Sequence, residues 1–219
     1  YIKAALSFGL PLIPHALGGM LVTMTGRMIV NTKLGIDQTG IYTVGTQIAS
    51  IITLLSTSFN YAYVPWLYDK LNKKNYDIDV KIVKLTYAYF IIIFLFGLVL
   101  GFITPWILKF LVGRDFQRAG TTIIWLALGN CFNGMYLMVT NYIFYAYKTY
   151  MLAIVTFISG LLNIVITLIF VKLNSIDGAA QAFMVSNFLR FLFTWILSSK
   201  LYKMPWNKVS FCIAKHRKI

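Results

Sequence analysis

Six long apolar runs, each bounded by charged or turn-forming residues, divide this chain: Ala4–Val30, Ile41–Leu67, Ile82–Leu108, Thr121–Tyr147, Tyr150–Val171 and Ala179–Leu201. A helix needs about 20 predominantly apolar residues to cross the hydrocarbon of a bilayer, so each run predicts one spanning helix. The connections are short at Asn31–Gly40, Gln117–Gly120, Lys148–Thr149 and Lys172–Gly178. The long one, Tyr68–Lys81, is rich in Lys and Asn. None could hold a soluble domain, so residues 1–219 read as a single all-α, polytopic membrane unit of six transmembrane helices.

The polar residues inside these runs fall on stripes. In the second run Thr43, Thr46, Gln47, Ser50, Thr53, Thr57, Asn60 and Tyr61 lie within about 140° of one another at 3.6 residues per turn. The fourth carries Asn130, Asn133, Thr140 and Asn141, the fifth Thr156, Ser159, Asn163 and Thr167, and the sixth Ser186, Asn187, Arg190 and Thr194. The third, through Phe90–Phe96, is almost wholly apolar and suits a lipid-facing position. Polar groups facing hydrocarbon are costly, so the stripes point at other helices or at water. Interhelical hydrogen bonds, worth about 0.6 kcal/mol each, account for any single Ser or Thr. Stripes on four runs predict a shared polar cavity, with Gln47, Asn60, Asn133, Asn141, Asn163 and Asn187 as candidate lining residues.

Composition fixes the solvent. Hydrophobic residues make up 59% of the 219 and charged ones only 12%, against about 25% charged in soluble domains. Twenty Lys and Arg face six acids, all Asp, for a net charge of +14. A basic balance of this size would suit nucleic acid. Here the cations sit between apolar runs, as in cytoplasmic loops held against anionic lipid, which argues against a nucleic-acid partner. Thirteen basic residues, among them Lys3, Lys70, Lys74, Lys148 and Lys200, would share one side; only Lys33, Lys109, Arg114, Arg118 and Lys172 would share the other. The excess marks the cytoplasmic face, with both ends inside. Residues 202–219 mix Trp206, Phe211 and Ile213 with Lys and Arg, which predicts a basic tail along the inner membrane surface. The chain opens at Tyr1 without a charged leader and cleavage site, as expected of a piece of a longer protein. Cys131 and Cys212 have no metal or redox spacing and read as free thiols.

Arg190 is the most informative residue. It lies midway along the sixth run, too deep to snorkel comfortably, and an ionised group at such depth costs at least about 2.5 kcal/mol and by default marks a function. No acid lies mid-helix to pair with it. Its counter-ion is therefore an acid on another segment or an anionic substrate, and a planar guanidinium suits phosphate because its fork bonds two oxygens. Arg27 ends a line of Pro11, His15, Gly19 and Thr23 at intervals of four, and either reaches the outer interface or joins the cavity. His15, alone among apolar residues, is expected to be simply hydrogen-bonded rather than part of a proton path. His15 and His216 are far apart, no run holds an acid, and no metal-ligand cluster or Gly-rich phosphate loop is present. An enzyme, a metal site and a cofactor are thus not expected.

The stretch Gly9-Leu10-Pro11-Leu12-Ile13-Pro14-His15, then Gly26-Arg27-Met28-Ile29-Val30, Leu34-Gly35 and Gly40-Ile41-Tyr42, followed by Pro65-Trp66 and the Lys-rich loop, resembles the polysaccharide and O-antigen flippases (Wzx-type). Their wider superfamily includes the multidrug and toxic-compound extruders. The resemblance is sharp over residues 8–47. Gly26 stands where many relatives carry Asp. The resemblance implies one six-helix lobe, the C-terminal one, of a twelve-helix alternating-access transporter in the bacterial inner membrane. Its substrate would be a polyprenyl-pyrophosphate-linked oligosaccharide, passing through a cationic cavity that Arg190 and Arg27 help to line. Membrane lipid, the N-terminal six-helix lobe of the same protein and a polysaccharide polymerase would be its partners. Two other readings remain open. A cation-coupled multidrug exporter of the same superfamily would want acids in its cavity, and these runs have none. A non-transporting scaffold for polysaccharide assembly would leave Arg190 and the stripes dispensable.

Overall fold

A computed structural model describes residue 6, residues 8–111 and residues 119–206. Its regular elements are all helices: α1 (Leu12–Leu34), α2 (Ile36–Asn72), α3 (Tyr76–Leu111), α4 (Ala119–Tyr145) and α5 (Thr149–Leu201). No strand occurs among the described residues. Four helices, α2 to α5, are long and apolar enough to cross a membrane.

The 53 residues of α5 would extend about 80 Å if straight, far more than the ~30 Å of bilayer hydrocarbon. They are not straight. Asn174 (φ −127°, ψ 20°) and Ser175 (φ 54°, ψ −130°) leave the helical region, and Gly178 backs directly onto the Phe170 carbonyl. In a continuous helix those two residues would be about 12 Å apart. The chain therefore doubles back, leaving a first arm (149–173) and a second arm (176–201), with the turn inside the expected Lys172–Gly178 connection. Asn174 Nδ2 donates to Gln181 Oε1 across the turn at 2.9 Å. The Asp177 carboxylate accepts from Thr121 Oγ1 at 3.1 Å and from Thr122 Oγ1 at 2.5 Å, which fastens the turn to the start of α4.

Elsewhere the helices outrun the apolar runs that predict them, because a helix does not stop where the hydrocarbon does. The expected Asn31–Gly40 connection shrinks to Gly35, whose φ of 88° is the left-handed conformation that glycine adopts without strain. The expected Tyr68–Lys81 loop shrinks to residues 73–75. Asn75 Oδ1 caps α3 there, accepting from the Asp77 and Ile78 amides at 2.9 and 3.4 Å, and Asp77 and Asp79 favour the positive end of the helix. α1 begins at Leu12; part of the expected run before it lies outside the described residues, and Leu6, Phe8 and Gly9 within it are helical. A turn at Leu10–Pro11 separates α1 from them, since Pro11 has no amide to continue a helical ladder and suits a helix start. Most of the expected tail, residues 207–219, lies outside the described residues, as do Lys3, Arg114 and Arg118.

Two packing relations position the functional residues. α4 is the innermost helix and packs against α2, α3 and α5; its Tyr136, Met138, Tyr142 and Ile143 share a core with Ile52, Leu67, Ile82 and Phe90. α3 turns Phe90 and Ile93 inward and leaves Ile91, Ile92, Leu95 and Val99 on the outside. α1 packs against the first arm of α5 at a glycine crossing. A Cβ on Gly18 would lie 2.5 Å from the Thr156 carbonyl oxygen, and one on Gly160 would lie 2.8 Å from that of Gly18. Such close backbone approach through small residues is how helices associate where lipid removes the hydrophobic drive.

Candidate functional site

Arg190 projects from the second arm of α5 into the seam with α4. Asn133 and Tyr136, three residues apart on α4, lie on one face of that helix. The Arg190 guanidinium donates through Nη2 to Asn133 Oδ1, and its Cζ stands 4.3 Å from the centre of the Tyr136 ring. A cation over an aromatic face is attracted by the ring quadrupole, by about 2 kcal/mol when desolvated. Both partners are neutral, so neither cancels the charge. Arg190 is 6% exposed, and its Nε has no hydrogen-bond partner among the described residues. Among the described residues the ion pairs are those of Asp69 with Lys70 and Lys73, at 3.7 and 3.3 Å. The cation is therefore held by a polar oxygen and a ring, with one donor unused and no described acid beside it.

The other stripe residues separate into two groups. Several face a neighbouring helix and form the interhelical bonds that are the alternative to a cavity; Thr140, Ser159 and Thr167 bond back to their own helix, and the buried Ser186 and Thr194 hydroxyls have no partner among the described residues. Asn141 Nδ2 donates to Asn60 Oδ1 at 2.8 Å, and Thr53 Oγ1 to Asn130 Oδ1 at 2.7 Å, which joins α2 to α4. Asn163 Nδ2 donates to the Leu21 carbonyl at 3.2 Å, joining the first arm to α1. Asn187 Nδ2 turns back to its own helix, to the Phe183 carbonyl at 2.9 Å. His15 Nδ1 lies 3.0 Å from Thr156 Oγ1; it is hydrogen-bonded, as expected of a lone histidine.

The second group is exposed. Arg27 and Gln47 both lie on the open face of α1 and α2, with Thr23 and Ser50. Arg27 Nη2 reaches Thr46 Oγ1 at 3.5 Å and borders a groove of about 380 Å³ with Thr23, Met24 and Met28. Exposed Ile13, Leu17, Met20, Met24 and Met28 run along the same helix. Polar and apolar residues mixed on one open face do not suit lipid, and they suit a protein surface or a wet passage. The eight candidate residues are thus not lined up on one wall within this chain. Arg190 and Asn133 form one site, Arg27 and Gln47 belong to another face, and Asn60, Asn141, Asn163 and Asn187 hold helices together or cap their own backbone.

Two features escaped the sequence reading. Tyr136 is invisible as a ligand of Arg190 until α4 and α5 are placed side by side, although its three-residue offset from Asn133 is a signal that could have found it. The glycine crossing gave no sign because Gly18 and Gly160 are 142 residues apart in the chain.

No family model matches the chain, and no solved structure matches it. Two curated relatives do, both from Haemophilus influenzae. One is a protein of the Lsg locus, 24% identical over 176 residues, which are 80% of this chain and 44% of the relative. The other is an uncharacterised membrane protein, 30% identical over 146 residues, which are 66% of this chain and 35% of the relative. The matched region spans less than half the length of each. With its long apolar helices, the likeness marks a multi-pass membrane protein.

Proposed function

We propose that this chain is one lobe of a flippase that carries a polyprenyl-pyrophosphate-linked oligosaccharide across the bacterial inner membrane, and that it is the C-terminal of two six-helix lobes. The observation that carries this reading is Arg190: a buried guanidinium on neutral partners, with an unused donor and no described acid. A pyrophosphate can take the place of Asn133 and Tyr136 without breaking an ion pair, and its oxygens match the guanidinium fork. Arg27 offers a second cation on the open face where a partner lobe would close the passage. The α5 hairpin gives α5 two arms, so the five helices supply six segments. The relatives are more than twice as long as the matched region, which leaves room in them for a second lobe. Kinship with a protein of the Lsg locus accords with a membrane role in polysaccharide synthesis. The drug-exporter reading gains nothing, because the Asp residues that this structure describes lie at helix ends and turns rather than mid-span.

Two experiments test the architecture. A reporter active only in the cytoplasm should be active when fused after Lys74 and inactive when fused near Asp37 or Asp177; the opposite pattern inverts the orientation. Residues 1–219 expressed alone should insert yet fail to restore surface polysaccharide to a flippase-deficient strain, because alternating access needs two bodies rocking about a shared site. Co-expressing the remainder of the full-length protein as a separate chain should return partial activity. Full activity from residues 1–219 alone would show instead a complete, self-associating transporter.

A further inference from the structure

A second site of different chemistry lies at the Lys-rich ends of α3 and α5. There Tyr202–Trp206 leaves the helix and folds back, so that Trp195, Trp206 and Tyr87 meet edge to face. Their centroids are 5.6 Å apart for the two indoles, and 6.1 and 6.0 Å from Tyr87 to Trp195 and Trp206. Tyr87 Oη donates to the Trp206 carbonyl at 3.3 Å. Beside this aromatic wall is a groove of about 870 Å³ into which Asp79, Lys200 and Lys203 also face, above an apolar floor that includes Leu192 and Ile196.

The polar groups of the groove are incompletely partnered. Asp79 Oδ1 and Trp206 Nε1 are shielded from solvent and have no hydrogen-bond partner among the described residues. Asp79 forms no ion pair with either lysine, although all three line one groove. A carboxylate and two ammonium groups held around a shared space, but apart, fit a ligand that carries both signs of charge. The aromatic wall, the apolar floor and the position at the end of apolar helices fit the level of lipid headgroups, where Trp, Tyr and Lys gather.

We infer that this groove holds one phospholipid of the Lys-rich leaflet whose headgroup carries a phosphate and a primary ammonium, as in phosphatidylethanolamine. Lys200, Lys203 and the Trp206 indole N–H bind the phosphate and ester oxygens, and the Asp79 carboxylate accepts from the ammonium. Phosphatidylcholine brings a cation without an N–H to donate, so it leaves Asp79 Oδ1 unpartnered. Phosphatidylglycerol brings only a neutral hydroxyl, whose bond to a carboxylate is weaker than that of an ammonium. The inference is independent of the proposed transport activity.

Native mass spectrometry of the full-length protein, delipidated in detergent and supplied with one lipid at a time, reads it directly. Single-lipid adducts should be retained most with phosphatidylethanolamine, less with phosphatidylglycerol and least with phosphatidylcholine. The extremes should differ by about tenfold in apparent affinity, the worth of one charge-assisted hydrogen bond. Asp79→Asn should erase the preference for phosphatidylethanolamine over phosphatidylglycerol, and Lys203→Gln should weaken both. Lys203 lies on the non-helical segment after α5, so its substitution leaves the helices intact, and an unchanged circular dichroism spectrum checks this. Equal retention of phosphatidylcholine overturns the inference, as does an Asp79→Asn protein with the wild-type ranking. A wild-type protein that retains none of the three also overturns it, the outcome expected if another segment of the protein fills the groove.

Discussion

Replacing Arg190 with alanine should abolish surface polysaccharide while leaving the protein nearly as abundant and as thermally stable as the wild type. The two halves of this expectation have opposite structural origins. Burying an ionised guanidinium among spanning helices costs at least about 2.5 kcal/mol, and here only Asn133 and the Tyr136 ring offset that cost. Removing the charge removes the cost and leaves behind one amide oxygen, worth about 1–3 kcal/mol if wholly unsatisfied. The lost cation–π contact, about 2 kcal/mol, adds to that loss, so the relief is offset and stability should change little or fall slightly. Transport should fall by two orders of magnitude or more, because the loss of a charge-assisted, two-pronged phosphate contact is worth about 3 kcal/mol or more in a site shielded from water. Lysine should rescue in part, since it restores the charge without the planar fork. A glutamine variant as active as wild type would show that charge is not what the site requires. An alanine variant that loses polysaccharide only because the protein has vanished would assign Arg190 a structural role.

Much of this fold was legible in the sequence because apolar length is a strong signal in lipid. All six runs correspond to helical segments, and the sequence places the α5 turn correctly between Lys172 and Gly178. What was illegible lies at the ends. Hydropathy reports where hydrocarbon begins, not where a helix stops, so the polar continuations at Asp37–Gly40 and Tyr76–Lys81 read as loops. The site was legible by half. Arg190 stood out because mid-helix charge is rare, but its ligands could not be chosen from among four polar stripes before α4 and α5 were packed together. The stripes themselves misled by their number. Asn60, Asn141 and Asn163 share the periodicity of cavity-lining residues, yet each also bonds across to a neighbouring helix. Periodicity tells which way a side chain faces and is silent on whether a helix or water waits there.

Substituting valine at Gly18 should strongly destabilise the protein, whereas the same substitution at the adjacent Gly19 should be tolerated. Gly18 is where α1 crosses the first arm of α5, and a Cβ there would lie 2.5 Å from the Thr156 carbonyl oxygen and 2.6 Å from its carbonyl carbon. These are backbone atoms inside a helix, so no side-chain rotation relieves the clash and the two helices must separate. Separation also strains the bonds that bracket the crossing, from Asn163 to the Leu21 carbonyl and between His15 and Thr156. Neither set of polar groups finds a substitute partner in hydrocarbon. Overpacking a tight contact costs about 1–3 kcal/mol by itself, and the strained hydrogen bonds bring the total to about 3 kcal/mol or more, a large part of a typical margin of about 5–15 kcal/mol. A Cβ on Gly19 would meet nothing within 4 Å, and both positions share one helix and the same propensity cost. Comparing the monodisperse fraction after detergent extraction and the thermal midpoint of the two variants isolates the crossing from any general effect of a β-branched residue. Equal behaviour of Gly18→Val and Gly19→Val would mean that α1 does not approach α5 through Gly18. The placement of Arg27 and His15 relative to the rest of the lobe would then have to be redrawn.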